Sequence, residues 1–242
     1  ATGSGGNVVV QNVSGITAGA TDGYGIAAST IGNGTVTVNG TGAITAAGNG
    51  ISATTTGSGK VSVTGTGAII ADSDSSGAGT GIIATSVGGA IVVTPGSTVS
   101  GASGIDAETT LTGAVTVTTS AGNVTGNTGY GVKTAAQDGA TIVTNNVATI
   151  QGNTYGVQST STNGKITITG SGTITGGSGP AISAIMSGAT GTGAGFDGIL
   201  ISGTGITSTT GAGDGIDAMI TSAGNHSNID ITRSGTVTAG AN

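Results

Sequence analysis

Residues 34–45 read GTVTVNGTGAIT, and near-copies stand at residues 59–70, GKVSVTGTGAII, and 164–175, GKITITGSGTIT. In each, Val, Ile and Thr alternate over a few residues and glycine-rich corners then interrupt them. Alternation with period 2, bounded by Gly, Asn and Ser, is the pattern of short half-buried strands. Working outward from these copies, a block of about 25 residues can be followed nine times along the 242-residue chain. A repeat of that length marks a solenoid, in which each unit buries its apolar face only against its neighbours.

Each block holds three runs. The first carries paired positions, from Val8/Val10, Val36/Val38 and Val61/Val63 through Thr141/Val143 and Ile166/Ile168 to Ile229/Ile231. The second has one anchor per block, at Ile16, Ile44, Ile69, Val99, Val124, Ile150, Ile174, Ile206 and Val237. The third reads Gly-Ile-x-Ala or a close variant, anchored at Ile26, Ile51, Ile82, Ile105, Val132, Val157, Ile182 and Ile216, with no ninth copy. Three short strands per period, all repeating in one direction, point to an all-β parallel β-helix solenoid of about nine coils rather than to hairpins. Stacked at about 4.8 Å per coil, they would form a rod of roughly 40 Å. Gly precedes the third anchor except at Ala181, which calls for either a positive φ or a corner too tight for a Cβ. The whole of 1–242 reads as a single β-helix segment, a piece of a longer rod, with loop insertions near 71–81, 185–197 and 219–228.

Composition narrows the function classes. Only four Lys plus Arg stand against ten Asp plus Glu, a net charge of −6 that does not suit a phosphate backbone, so no nucleic acid is expected as partner. No run of 18 apolar residues is present, so no membrane-spanning helix is expected. The opening ATGSGGNVVV lacks the basic segment and apolar run of a signal peptide, as expected of a mature or excised segment. The absence of Cys leaves neither disulfides nor thiolate metal sites.

The sequence from Gly34 to Ala53, GTVTVNGTGAITAAGNGISA, and its copies resemble the passenger domains of bacterial autotransporters, large exported surface proteins built as right-handed parallel β-helices. The resemblance spans essentially the whole chain and is one of repeat style. It implies a right-handed coil, secretion through the outer membrane or display on the bacterial cell surface, and roles in adhesion, aggregation or biofilm.

Parallel β-helices also serve as polysaccharide-acting enzymes, which makes the acidic residues worth placing. Asp106 and Asp217 share one repeat position but lie four coils apart, roughly 19 Å, too far for the paired carboxyls of glycoside hydrolysis. Asp72 and Asp74 share the first insertion, where a hydrated Asp/Ser turn competes with a hard-cation site that would need six to eight oxygen ligands. His226 and Ser227 are adjacent but have no orienting acid or elbow motif. No catalytic residue, metal or cofactor is therefore expected, and the chain is read as non-catalytic.

A binding patch is expected instead. The residues after the third anchor, including Asp106, Lys133, Gln158 and Asp217, should face outward, with Asp106 and Lys133 on adjacent coils. Tyr130 and Tyr155 sit two residues before a third anchor and should stack on consecutive coils. Together Tyr130, Tyr155, Lys133, Gln158 and Asp106 form the candidate surface for host or environmental glycans or matrix proteins; the alternative is a tyrosine stack that only covers the core. A file of Thr64, Thr94, Thr118, Thr144 and Thr169 raises ice binding as a further alternative, though within this file full Thr-x-Thr pairs occur only at Thr116/Thr118 and Thr167/Thr169. Free strand edges on end coils would allow self-association into an extracellular fibre. Met186, Phe196, Met219 and His226 gather in or beside the late insertions, whose loops should pack on one another.

Overall fold

A short strand with β-branched residues on one face cannot bury that face alone, but a chain that turns after each strand can enclose it. The computed structural model, which describes residues 1–19, 23–146, 148–189 and 197–240, coils in this way. Among the described residues there is no helix, and three nine-stranded sheets run along the molecule. We number them 1, 2 and 3 after the run each contains. Hydrogen-bonded neighbours are three strands apart in the chain, so each coil contributes one strand per sheet. All pairings are parallel, and the third-run anchors line up as Ile51, Ile82, Ile105, Val132, Val157, Ile182 and Ile216. The first-run pairs align in the same way from Val8 to Ile229.

Inward residues of the three sheets merge into one apolar core that runs the length of the rod. Ile44, Ile69, Ile82, Ile105, Ile150 and Ile166 are among its fully buried side chains. Where the repeat places Thr134, Thr141 and Ser159 in this interior, the Ser159 hydroxyl bonds both threonine hydroxyls at 2.8 Å. Three buried polar groups thus satisfy one another, as an apolar core requires. In the last coil described, the inward-facing Ile229, Ile231 and Val237 are 41–48 % exposed, each packed against one neighbouring strand rather than two.

Two expectations need correction. The second-run anchor of the penultimate coil is Thr207, which pairs with Ile174 and Val237 and is fully buried, whereas Ile206 is 50 % exposed. Sheet 3 also has a ninth strand: Thr2–Ser4 pairs with Ser29–Ile31 at the start of the chain, where no apolar anchor signals it.

Glycine at the corners is explained by approach. A Cβ on Gly25, Gly50 or Gly81 would lie 2.3–2.4 Å from a γ-methyl of Ile44, Ile69 or Val99, the second-run anchor of the next coil. None of these three glycines has a positive φ, so the tight corner, not the left-handed backbone, selects Gly there. A second file, Gly34, Gly59, Gly89, Gly113, Gly139 and Gly164, enters sheet 1. Each Cβ from Gly59 onward would fall 1.8–2.1 Å from the carbonyl oxygen of the preceding member.

Insertions emerge from these corners. In the first, Asp72 adopts φ 54° and its carboxylate accepts the Ser76 hydroxyl at 3.0 Å and the Gly77 N–H at 2.8 Å, while Asp74 accepts the Ser76 N–H. Both acids are engaged by their own turn, a use for which Asp is suited. In the last coils, buried Asn225 donates to the Gly188 carbonyl and to the Met186 sulfur, each at 3.0 Å, which ties the 219–228 insertion to the end of the Ile182–Met186 strand one coil back. Met186 is buried, Met219 and His226 are exposed, and Phe196 lies outside the described residues, as does most of the 185–197 insertion.

Candidate functional site

The sheet-3 register sets Asp106, Lys133, Gln158, Ser183 and Asp217 on successive coils in one file. Four coil steps separate Asp106 from Asp217, which keeps the two carboxyls far apart. Ser183 is buried, unlike its partly exposed neighbours in the file.

Three of the five expected patch residues come together. The Tyr130 hydroxyl donates to Asp106 Oδ2 at 2.6 Å, reaching back one coil. Lys133 Nζ lies 3.6 Å from the same Asp106 oxygen and 5.7 Å from the centre of the Tyr130 ring, and it also donates to Glu108. Glu108 was not singled out from the sequence, although the alternation Asp106-Ala107-Glu108 places both acids on the outward face. Its position opposite Ala135, diagonal to Lys133, puts it within reach of the ammonium.

Burial pushes the Asp106 carboxyl above its ordinary value, against the opposing pull of the Tyr130 hydrogen bond and the Lys133 charge. Its Oδ1 is buried with no hydrogen-bond partner among the described residues. Burial also raises the Tyr130 hydroxyl, and the bond to Asp106 adds to the effect. For Lys133, burial alone would lower the ammonium, but the Glu108 hydrogen bond and the Asp106 charge outweigh it and hold it above the usual lysine value. These groups largely satisfy one another, so the cluster joins two coils and leaves little hydrogen-bonding capacity for a ligand.

Tyr155 does not join it. Its ring lies against Gly179 of the following coil, where an added Cβ would come within 3.1 Å of Cε1, so the two tyrosines lean toward opposite neighbours. The cause is local. The residue beneath Tyr155 that corresponds to Asp106 is Lys133, a donor already engaged by two carboxylates, and a phenol finds no acceptor there. Gln158 pairs beside Lys133 in the sheet without entering the cluster.

On sheet 1 the outward threonines do align. Thr64 pairs with Thr94, and Thr118, Thr144 and Thr169 follow in register, with the last two hydroxyls 3.5 Å apart. Val92 and Ile142 interrupt the parallel file.

A concave site lies at another corner, where sheet 2 gives way to sheet 3. A cavity of about 110 Å³ is lined by Thr125, Asn127, Gln151, Asn153, Thr175 and Thr210, together with the backbone of Gly126, Gly152, Gly176 and Gly177. It draws on four successive coils. Sequence reading passed over these residues because Gly-Asn-Thr reads as an ordinary turn; the signal was its recurrence at Gly126-Asn127-Thr128 and Gly152-Asn153-Thr154 beside outward Thr125 and Gln151.

No protein-family model, no curated protein and no solved structure matches this chain.

Proposed function

We propose that the chain is a non-catalytic, surface-exposed β-helix segment of a secreted or cell-surface protein, passenger-like in style, whose work is structural and adhesive. The observation that carries this reading is the outer surface. Coil after coil, register-aligned files present hydroxyls and amides with few charges around a continuous apolar core. Such a rod projects a repeated polar surface at fixed spacing, which favours multivalent contact over a single reaction centre. Three of the acids are engaged in structure: Asp72 and Asp74 in a turn, Asp106 with Tyr130 and Lys133.

The test is a solid-phase binding screen of the purified chain against immobilised glycans and matrix proteins, run beside light scattering over a concentration series. Saturable binding or concentration-dependent self-association is the expected result. Release of new sugar ends from a polysaccharide would overturn the reading. So would thermal hysteresis that disappears when Thr116 and Thr167 are replaced by bulky residues, which would assign the sheet-1 face to ice.

A further inference from the structure

We infer that the corner groove lined by Thr125, Asn127, Gln151, Asn153, Thr175 and Thr210 is a binding site for a neutral polysaccharide chain lying along the rod axis. The inference rests on the adhesive reading above and gives it a site and a ligand class.

The first argument is what these side chains do not do. Elsewhere in the rod, corner asparagines spend their side-chain oxygens on the next coil: Asn7 accepts the Thr35 N–H, Asn33 that of Ser58, Asn49 that of Thr80 and Asn123 that of Thr149, at 2.8–3.2 Å. Buried Asn12 and Asn145 donate to carbonyls. By contrast, the side chains of Asn127, Asn153, Gln151, Thr125, Thr175 and Thr210 make no hydrogen bond among the described residues. Three amides and three hydroxyls with unspent donors and acceptors converge on one hollow.

The second argument is shape. About 110 Å³ is several times the roughly 10–15 Å³ that one water needs, so the hollow can take the edge of a larger molecule. Its lining recurs once per coil, at a spacing of about 4.8 Å. That is close to the length of one sugar unit in an extended chain, so successive units can meet equivalent groups: Thr125, Gln151 and Thr175 in one file, Asn127 and Asn153 in the next.

The third argument is charge. No lining residue is ionisable, so a polyanion would find no counter-charge, and the ligand class that matches uncharged donors and acceptors in rows is a polyol. An amide offers both a donor and an acceptor to adjacent hydroxyls, which suits Asn and Gln to this task.

The experiment is titration calorimetry of the intact chain with cellohexaose, laminarihexaose, mannohexaose and chitohexaose. It would be repeated with the Gln151→Ala/Asn153→Ala double variant and with Lys133→Ala on the sheet-3 cluster. Both variants change partly or fully exposed residues, and circular dichroism checks that they keep the fold. The expected result is binding of at least one neutral hexasaccharide that weakens about tenfold or more in the double variant, the loss of one or two hydrogen bonds, and that is unchanged in Lys133→Ala. Binding that survives the double variant but fails in Lys133→Ala overturns the site while leaving the adhesive reading standing. Binding of polygalacturonate in preference to all four neutral probes, strengthening as salt is lowered, overturns the ligand class. No binding of any probe overturns the groove, and the matrix-protein screen then judges adhesion separately.

Discussion

Adding one methyl group at Gly139 should loosen the middle of the rod. A Cβ built there lies 1.8 Å from the Gly113 carbonyl oxygen, and one at Gly164 would lie 1.9 Å from the Gly139 oxygen. Ordinary contact begins near 3.4 Å, so Gly139→Ala requires the two coils to part by about 1.6 Å, a third of the coil spacing of about 4.8 Å. The backbone bonds that span this gap beside the corner, Val115 N–H to Ala140 at 2.8 Å and Asp138 N–H to Leu111 at 3.1 Å, have no slack for such a shift. The loss of one or two of them, at about 1 kcal/mol each, adds to an overpacking cost of about 1–3 kcal/mol. The expected destabilisation is therefore about 2–5 kcal/mol.

Two comparison variants isolate the cause. Gly65 has φ 62° and nothing within 4 Å of a built Cβ, so Gly65→Ala should cost only the left-handed strain of about 1–2 kcal/mol. A Cβ built on Gly88 meets only ordinary contacts, with Ser58 and Leu111 at 3.7–3.8 Å, and its φ is not positive, so Gly88→Ala should be neutral or stabilise by up to about 1 kcal/mol through the unfolded state. Urea unfolding followed by circular dichroism gives the ranking. Amide exchange at residues 113–141 locates the loss, since a solenoid can open coil by coil. If Gly139→Ala proves as stable as Gly88→Ala, the close-approach account of the corner glycines is wrong.

Thr207 is fully buried with its Oγ1 unpartnered among the described residues, so Thr207→Val, nearly the same shape, should raise the urea midpoint by the equivalent of about 1 kcal/mol. A fall in midpoint would mean that the hydroxyl has a partner. Asp106 titrates above its ordinary value of 3.8, so the folded chain holds that proton more tightly than the unfolded one; stability from this group is present below pH 3.8 and is lost as pH rises through the folded value. The Asp106→Asn variant should flatten this part of the pH–stability curve. Tyr130 and Lys133 are also raised, so their contributions are complete below about pH 10 and are lost above it, which the Tyr130→Phe variant should partly remove at the alkaline end.

Much of the coil was legible because its alternation is physical bookkeeping of burial. Every first-run pair lies in the aligned register from Val8/Val10 to Ile229/Ile231, since an inward β-branched residue one place out of step would face solvent. Hydrophobicity failed at Ile206 for a reason the glycines reveal. Gly42, Gly67, Gly172, Gly205 and Gly235 each precede a second-run anchor by two residues, giving Ile44, Ile69, Ile174, Thr207 and Val237. A Cβ on Gly205 would lie 2.0 Å from the Gly172 oxygen, so the corner fixes the register and the more apolar Ile206 is turned outward. Counting from the corner glycine is therefore a better guide in this fold than choosing the greasiest residue.

The surface sites were less legible because outward residues are free to vary and acquire meaning only from their neighbours on other coils. Register alone placed Lys133 beside Asp106, but it could not separate Tyr130 from Tyr155, which share a repeat position and differ in what lies one coil beneath. An acceptor under Tyr130 draws its hydroxyl into an ionic cluster; an engaged ammonium under Tyr155 leaves that ring to rest on Gly179. The same logic explains why the groove went unread. Asn123 and Asn127 are both corner asparagines, yet Asn123 holds the Thr149 N–H of the next coil while the Asn127 side chain faces a hollow shared with Gln151 and Asn153. An asparagine that holds the next coil maintains the rod, and one left without a partner in a concavity is available to something outside it.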